Sequence, residues 1–241
     1  MTVGRLAEIW STTQHTAAGE ADAPTGERIL VEASRLFALK GYHGTSTRDI
    51  AAAVGIRQPS LFHHFRSKRA IMDALLEYDL SSGVRLLGWL ATAPGSPAVR
   101  LYRYIAQDTY FALTSPYDLR GVYLSDLLSE PEFRPWRKKY DEWLKGLQSI
   151  VQQGIRCDEF MEIDPRFVSM QVDAFLLHIV RLAGNGPRRS SDDRTEADTA
   201  ASFVLRAVLR RPDDLNAVRR SAHAGPPFPK SVSRRRSTRK R

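Results

Sequence analysis

The most restrictive feature of the sequence is a pair of short amphipathic stretches that are separated by only three residues. The first stretch begins at Ser46, which with Asp49 forms a variant of the helix capping box, and it ends at Gly55. The second stretch runs from about Gln58 to Phe65 and carries a proline in its first turn, where proline is tolerated. Two short helices joined by a three-residue turn with a glycine have the geometry of a helix-turn-helix.

Helical periodicity continues on both sides of this motif. Apolar side chains recur at helical spacing from Thr25 to Lys40, and Ser67 is placed to cap a longer helix that reaches about Leu90. Two further helices of similar length are predicted at about 165–183 and 192–210. No stretch of the sequence combines two-residue alternation with hairpin turns. The sequence therefore predicts an all-α fold.

Length and composition indicate a globular protein. Of the 241 residues, 42% are apolar, which is enough to build a buried core. No run of about 18 apolar residues occurs, and the N-terminus lacks the order of a signal peptide, so we expect a cytoplasmic protein with no membrane partner. The single cysteine, Cys157, cannot form an intramolecular disulfide or a multi-cysteine metal site. We expect no cofactor and no bound metal.

The location of the charge is more informative than its sum. The formal net charge is +9, but residues 219–241 alone hold nine Lys or Arg and no acid. The remaining chain is balanced, with 27 basic and 27 acidic residues at positions 1–218. Residues 25–75, however, contain eight basic and four acidic residues, and this segment with its local excess of positive charge includes the helix-turn-helix.

The two short helices divide their residues into a buried set and an outward set. Ile50, Val54 and Leu61 belong to the apolar side that holds the helices together. Arg57 and Gln58 point outward from the start of the second helix, where arginine can pair with guanine and glutamine with adenine. Residues at helix N-termini favour phosphate, because the free N–H groups and the positive end of the helix dipole meet there. This chemistry predicts direct contact with a DNA major groove.

Three runs of this region resemble the N-terminal domain of the TetR/AcrR family of transcriptional regulators. They are 41–51 (GYHGTSTRDIA), 54–56 (VGI) and 60–68 (SLFHHFRSK), and the match covers about 50 contiguous residues with the right spacing. The family usually has a tyrosine, whose hydroxyl commonly contacts a phosphate, where this sequence has Phe62. The residues that we predict to contact DNA are Thr45, Ser46, Thr47, Arg57, Gln58, Pro59, Ser60, Phe62, His63 and Lys68.

The resemblance implies a ligand-responsive repressor that binds a palindromic operator in double-stranded DNA as a homodimer. A small, largely apolar or aromatic effector would release it from DNA. An alternative with the same fold is an activator or adaptor that binds DNA without a small-molecule effector. An enzyme is not expected, since no nucleophile with a general base, phosphate loop or metal pattern is present. The adjacent pair His63 and His64 does not indicate a metal site, because neighbouring helical residues point about 100° apart.

The chain divides into four predicted segments. Residues 1–24 form a flexible N-terminal arm, and 25–70 form the three-helix DNA-binding domain with its helix-turn-helix. Residues 71–218 form a helical domain for ligand binding and dimerisation, and 219–241 form a disordered basic tail. The tail either adds salt-sensitive DNA affinity or only improves solubility.

The region between Trp89 and Trp143 is rich in aromatic residues, which can leave a cavity in a helical bundle. Plain core packing is the competing interpretation for any single ring. Asp108 and His178 could orient the polar group of a ligand or serve structural roles. The predicted ligand-binding residues are Trp89, Tyr104, Asp108, Phe111, Tyr123, Trp136, Tyr140, Trp143, Phe175 and His178.

Overall fold

The computed structural model describes residues 24–123, 126–183 and 193–228. The predicted arm at 1–23 and the last 13 residues of the predicted tail, 229–241, lie outside the described residues. Within the described ranges no sheet forms, and the extended backbone pairs only in an isolated antiparallel bridge between Phe160 and Leu209. The helices are α1 (Thr25–Lys40), α2 (Thr47–Val54), α3 (Gln58–His64), α4 (Lys68–Thr92), α5 (Pro97–Thr114), α6 (Arg120–Tyr123), α7 (Arg134–Arg156), α8 (Pro165–Ala183), α9 (Asp193–Val208) and α10 (Leu215–Ala224). The predicted all-α fold is confirmed.

Local capping chemistry sets the boundaries of the first helices. Ser46 caps α2 through a complete capping box, in which its hydroxyl accepts from the Asp49 N–H and the Asp49 carboxylate accepts from the Ser46 N–H. Gly55 ends α2 in the left-handed conformation, with φ of 74°, which a residue with a Cβ adopts only with strain. Ser67 caps α4 by accepting from the Ala70 N–H. The predicted turn between α2 and α3 is therefore built as the sequence indicates.

The core of the N-terminal helices extends beyond the predicted boundary at residue 70. Ile71, Met72, Leu75 and Leu76 on α4 are completely buried in this core. Side chains from after α5 complete it: Tyr117, Leu119, Val122, Leu127 and Phe133. The later residues of α4, from Leu80 to Leu90, belong instead to the core of the C-terminal helices. Helix α4 is thus shared by both cores.

The C-terminal part is a bundle centred on α5. Helix α5 packs against α8, α9 and α10, and α7 packs across α4 and α8. Small residues allow the close approach of α9, where Ala197, Ala200 and Ala201 are buried. This bundle places the faces of α4, α5, α7 and α8 around a common cleft.

The predicted disorder of the tail from residue 219 is wrong for residues 219–224, which belong to α10. Leu215, Val218 and Ala222 form a buried stripe on this helix, so burial of apolar area offsets the loss of chain entropy. Asp198 on α9 holds the helix through an ion pair with Arg219 and a contact of 2.9 Å with the ring of His223. Asp198 also accepts from the buried Tyr102 hydroxyl; the carboxylate therefore ties α9, α5 and α10 together.

Residues 225–228 are also packed against the bundle. The ring of Phe228 lies 5.2 Å from that of Trp89, and the buried guanidinium of Arg103 contacts both rings, with its carbon 5.0 Å from the centre of Trp89 and 4.6 Å from that of Phe228. Arg103 also donates to the Pro226 carbonyl. Burial lowers the pKa of Arg103. This packing gives the C-terminal segment a defined position as far as Phe228.

Candidate nucleic-acid interface and ligand cleft

One face of α3 is exposed, as a groove-reading helix requires. Arg57, Pro59, Ser60 and His63 are all exposed, whereas Leu61 between them is completely buried. Phe62 is 42% exposed although it is apolar. The buried side fixes the helix to the protein, and the exposed side carries the guanidinium, hydroxyl and imidazole groups that can contact base edges and phosphates.

Gln58 is held in place by a residue of the preceding helix. Its Nε2 donates to the Thr47 hydroxyl at 2.8 Å, across the turn between α2 and α3. Both side chains are only partly buried. The contact fixes the amide plane while its oxygen and second N–H stay available for a base. Thr47 is therefore positioned to orient Gln58.

The side chain of Thr45 is not available for DNA, and that prediction is wrong. Thr45 is 1% exposed, and its hydroxyl lies 2.8 Å from the Gly41 carbonyl and 3.2 Å from the Leu36 carbonyl. The single hydroxyl proton is donated mainly to the Gly41 carbonyl and is shared over the longer distance with the Leu36 carbonyl, so the hydroxyl serves the end of α1 and the residue after it. Ser46, in contrast, is exposed at the start of α2.

Lys68 has a structural role that the sequence did not reveal. Its Nζ donates to the Tyr42 carbonyl at 2.6 Å and to the Thr45 carbonyl at 2.9 Å, and it lies 4.3 Å from the centre of the Tyr42 ring. Burial lowers the pKa of Lys68. Two of the three ammonium donors therefore join the start of α4 to the loop before α2, and at most one remains for a phosphate.

A cleft of about 500 Å³, including its solvent-open mouth, lies between the helices of the C-terminal bundle. Four of the ten predicted ligand-binding residues line it: Asp108, Tyr123, Tyr140 and Trp143. The other lining residues are Asp79, Leu80, Gly83, Ala112, Asp173, Leu176, Leu177 and Val180. That the four predicted residues bind a ligand stays a prediction.

The aromatic wall of the cleft is supported from behind. Tyr140 and Trp143 stack with ring centres 5.6 Å apart, and the Trp143 indole donates to the hydroxyl of the buried Tyr104. Gly83 on α4 makes room for this wall, because a Cβ there would lie 3.2 Å from the Trp143 ring. Tyr104 therefore positions Trp143 and is not itself a lining residue.

Two tyrosines of the wall bind carboxylates in the same cleft. The Tyr123 hydroxyl donates to Asp79, and the Tyr140 hydroxyl donates to Asp173. Burial raises the pKa of Asp173, although the hydrogen bond from Tyr140 opposes this change. Burial and the same hydrogen bond raise the pKa of Tyr140, so its hydroxyl stays protonated and keeps donating. Asp79 and Asp173 were missed by sequence reasoning, because single acids on long helices are ordinary solvent-facing residues.

The remaining predicted ligand-binding residues are not among those that line this cleft. Trp89 packs with Phe228, Phe111 lies beside Tyr110, and the Trp136 indole donates to Asp73. Phe175 stacks on Phe203, and His178 is exposed on α8. That these five residues bind a ligand stays a prediction.

The short helix α6 connects the cleft with α1, the first of the N-terminal helices. Tyr123 at its end lines the cleft, and Gly121 lies against the backbone of α1 so closely that a Cβ would be 2.5 Å from the Phe37 carbonyl carbon. Nearby, the Asp118 N–H donates to the Ser34 hydroxyl at 3.0 Å. Helix α6, which supplies Tyr123 to the cleft, is therefore in direct contact with α1.

Comparison with known proteins identifies relatives that are bacterial transcriptional regulators. Residues 29–75 match the family model of bacterial regulatory proteins of the tetR family. The chain is 44% identical over 141 residues to the HTH-type transcriptional repressor KstR2 of Mycobacterium tuberculosis, and this match covers 57% of the chain and 70% of the repressor. It is 43% identical over 164 residues to KstR2 of Rhodococcus jostii, covering 63% and 78% of the two proteins.

Solved structures agree with the fold. AmtR of Mycobacterium smegmatis superposes with a TM-score of 0.66 and 26% identity, covering 90% of this chain and 99% of AmtR. The ketosteroid transcriptional regulator KstR2 of M. tuberculosis gives a TM-score of 0.67 at 22% identity, covering 78% and 96%. None of the described helices has the length and hydropathy to cross a bilayer.

Proposed function

The chain belongs to the TetR family of bacterial transcriptional regulators, and from this membership we propose that it is a ligand-responsive repressor. It binds a palindromic operator as a homodimer, and a small, largely apolar or aromatic effector releases it. The observation that carries the proposal is the exposed face of α3 with Gln58 held by Thr47.

The exposed face of α3 supports sequence-specific DNA binding. A bidentate contact between a glutamine amide and an adenine requires that the amide plane be fixed, and the hydrogen bond from Gln58 to Thr47 fixes it. The capping box uses the N–H groups of Ser46 and Asp49, and the other N–H groups of the first turn of α2, those of Thr47 and Arg48, favour a phosphate. The same surface therefore holds a base reader and a group that fixes its register on the duplex.

An exposed apolar surface on α8 and α9 supports a homodimer. Met170 on α8 is 58% exposed and Phe203 on α9 is 66% exposed, although both are large and apolar. Phe167 and Leu182 extend the surface along α8, and His178 lies on the same helix. A second copy of the chain would cover these residues, and it would supply the second recognition helix that a palindromic site requires.

The cleft supports control by a ligand. Helix α4 contributes Asp79, Leu80 and Gly83 to the cleft, and its first turns are buried in the core of the DNA-reading helices. A ligand that displaces this stretch of α4 would change the spacing of the two recognition helices in a dimer. DNA requires that spacing to be about 34 to 36 Å, so a change of a few ångströms weakens binding.

The first test is an operator-binding measurement with variants of the reading face. A binding site is selected from random duplexes, and affinity is then measured on it and on unrelated DNA. Gln58→Ala should weaken binding to the selected site by about 1 to 3 kcal/mol and change binding to unrelated DNA much less. Thr47→Val, which removes the hydroxyl, should weaken specific binding by about 1 kcal/mol. Thr47→Ser keeps the hydroxyl and should bind like the wild type.

Gln152→Ala is the matched control, because Gln152 is an exposed glutamine on α7 of the C-terminal bundle. It should leave both affinities unchanged. Equal losses on selected and unrelated DNA for Gln58→Ala would show that Gln58 is not a base reader. Failure to select any site would refute sequence-specific binding.

A further inference from the structure

Arg103 on α5 is a buried cation whose hydrogen-bonding groups are only partly used. It is 5% exposed, and among the residues that the structure describes its Nη1 has no hydrogen-bond partner. Its Nη2 donates to the carbonyl of Pro226, which is a neutral acceptor. Burial lowers the pKa of Arg103. An ionised side chain is costly to bury unless an opposite charge and hydrogen bonds compensate it, so the guanidinium is under-compensated in this arrangement.

Two aromatic rings give Arg103 part of its stabilisation. The guanidinium carbon lies 5.0 Å from the centre of the Trp89 ring and 4.6 Å from that of Phe228. Such contacts attract the cation to the negative faces of the rings. They supply no oxygen acceptor, however, and the two N–H groups of Nη1 remain available to one.

The C-terminal segment 225–228 covers Arg103 and supplies both of these contacts from one end of the chain. Pro226 offers an oxygen to the guanidinium, and the ring of Phe228 packs against that of Trp89. Gly225 lies so close that a Cβ there would be 2.9 Å from Nη1. Pro226 and Pro227 are exposed, so the segment lies at the surface of the bundle. Because it follows the last residue of α10, it can leave Arg103 without the displacement of a helix.

A carboxylate matches Arg103 better than the carbonyl of Pro226 does. The guanidinium is planar and always charged, and its fork of N–H groups fits the two oxygens of a carboxylate. A carbonyl offers one oxygen and no charge. A carboxylate would therefore use Nη1 as well as Nη2 and would also supply the missing opposite charge.

We propose that Arg103 and Trp89 form a binding site for an organic carboxylate with an aromatic or alicyclic body, and that this ligand binds in place of residues 225–228. Its carboxylate pairs with Arg103, and its body packs on Trp89 where the ring of Phe228 lies. Neither Arg103 nor Trp89 is among the residues that line the proposed effector cleft. The inference thus goes beyond the proposed function, and its test needs no DNA.

Calorimetry with three probes of one framework tests the charge preference of the site. The probes are 3-(2-naphthyl)propanoate, its neutral primary amide and the cation 2-(2-naphthyl)ethylamine, each titrated into the full chain at pH 7. The carboxylate should bind at least about tenfold more tightly than the amide, which corresponds to about 1.4 kcal/mol. The amine should bind most weakly, because it would be buried beside a guanidinium of the same charge.

Arg103→Gln locates the preference on Arg103. Glutamine keeps an N–H donor for the Pro226 carbonyl but removes the charge and the fork. The affinity for the carboxylate should fall by at least about tenfold, to that of the amide, and the affinity for the amide should not change. Arg206→Gln is the control, since Arg206 is an exposed arginine on α9 and its loss lowers the net charge by the same amount. It should bind all three probes like the wild type.

Phe228→Ala tests the competition between the ligand and the segment. A ligand that must displace 225–228 binds more tightly when the segment is held less firmly, so the affinity for the carboxylate should rise by at least about threefold. Leu39→Ala is the control, because it shortens an apolar side chain that is 65% exposed on α1. It should leave the affinity unchanged. Thermal unfolding of each variant verifies that it is folded.

Four results would overturn the inference. They are binding of none of the probes, binding of the amide or the amine at least as tight as that of the carboxylate, a preference for the carboxylate that survives Arg103→Gln, and an affinity for the carboxylate that Phe228→Ala leaves unchanged or lowers. If Arg103→Gln does not fold, the comparison of probes on the wild type and the Phe228→Ala measurement still decide the matter.

Discussion

Gly121 is the point at which a single methyl group should reveal how tightly α6 is held against α1. In Gly121→Ala the new Cβ would lie 2.5 Å from the Phe37 carbonyl carbon and 2.7 Å from the Ala38 nitrogen. Real Cβ contacts are essentially never shorter than 3.0 Å. The neighbours are backbone atoms in the last turn of α1, so they cannot rotate away as a side chain would. Helices α6 and α1 must therefore separate.

The size of the effect follows from two opposing contributions. Overpacking of this kind costs about 1 to 3 kcal/mol, and contact with backbone places the cost in the upper part of that range. Replacing a helical glycine by alanine raises the free energy of unfolding by at most about 1 kcal/mol. The net loss is therefore about 1 to 2 kcal/mol, and for a chain of this length the Tm should fall by about 2 to 8 °C.

The assay is thermal unfolding followed by circular dichroism, with Gly88→Ala as the matched control. Gly88 is an exposed residue in the C-terminal part of α4, and a Cβ there meets no atom within 4 Å. Alanine at this position should stabilise the protein by about 0.5 to 1 kcal/mol. A Tm for Gly121→Ala that equals or exceeds that of the wild type would refute the rigid contact between α6 and α1.

Three further predictions concern the C-terminal segment. Burial raises the pKa of Asp198, but the contact with His223 and its other partners outweigh burial and hold that pKa below its ordinary value. Asp198→Asn should therefore destabilise the protein at pH 7, and this loss of stability should disappear as the pH falls below about 4. Urea unfolding of the wild type and the variant at pH 7 and at pH 3 measures the loss. An equal loss at pH 3 would contradict the prediction. Deletion of 229–241 should leave the free energy of unfolding unchanged and make the dependence of operator affinity on salt shallower, since seven basic residues are lost. Deletion of 225–241 also removes Phe228 and should cost about 1 to 3 kcal/mol in urea unfolding; identical unfolding curves for the two deletions would show that 225–228 do not stabilise the bundle.

The DNA-reading region was predictable because its signals are local. The capping box at Ser46 and the glycine at position 55 act within one turn of helix, and the structure shows both. The position of Thr45 was not predictable in the same way. Its hydroxyl lies 3.2 Å from the carbonyl oxygen of Leu36, nine residues earlier in the chain. Only the path of the chain after α1 brings these two groups together.

The cleft was only partly predictable because its residues come from five different helices. Aromatic density led to the prediction of Tyr123, Tyr140 and Trp143 as ligand-binding residues, and all three line the cleft. It also indicated Trp89, whose ring instead packs with Phe228 from the other end of the chain. Helical periodicity indicates which residues share a face of a helix, but it does not indicate which other helix packs against that face. The tail illustrates the same limit, since its basic composition concealed the buried stripe of α10.

Helix α4 is the element through which the cleft and the DNA-reading surface can influence each other. Its 25 residues give it a length of about 37 Å. At one end Lys68 donates to the carbonyls of Tyr42 and Thr45 just before α2, and near its middle Asp79 and Gly83 form part of the cleft. A helix whose backbone is hydrogen-bonded throughout moves as a unit, so a displacement at the cleft also moves the anchor of the loop before α2. If a ligand weakens operator binding through this helix, linkage requires the operator to weaken ligand binding by the same factor.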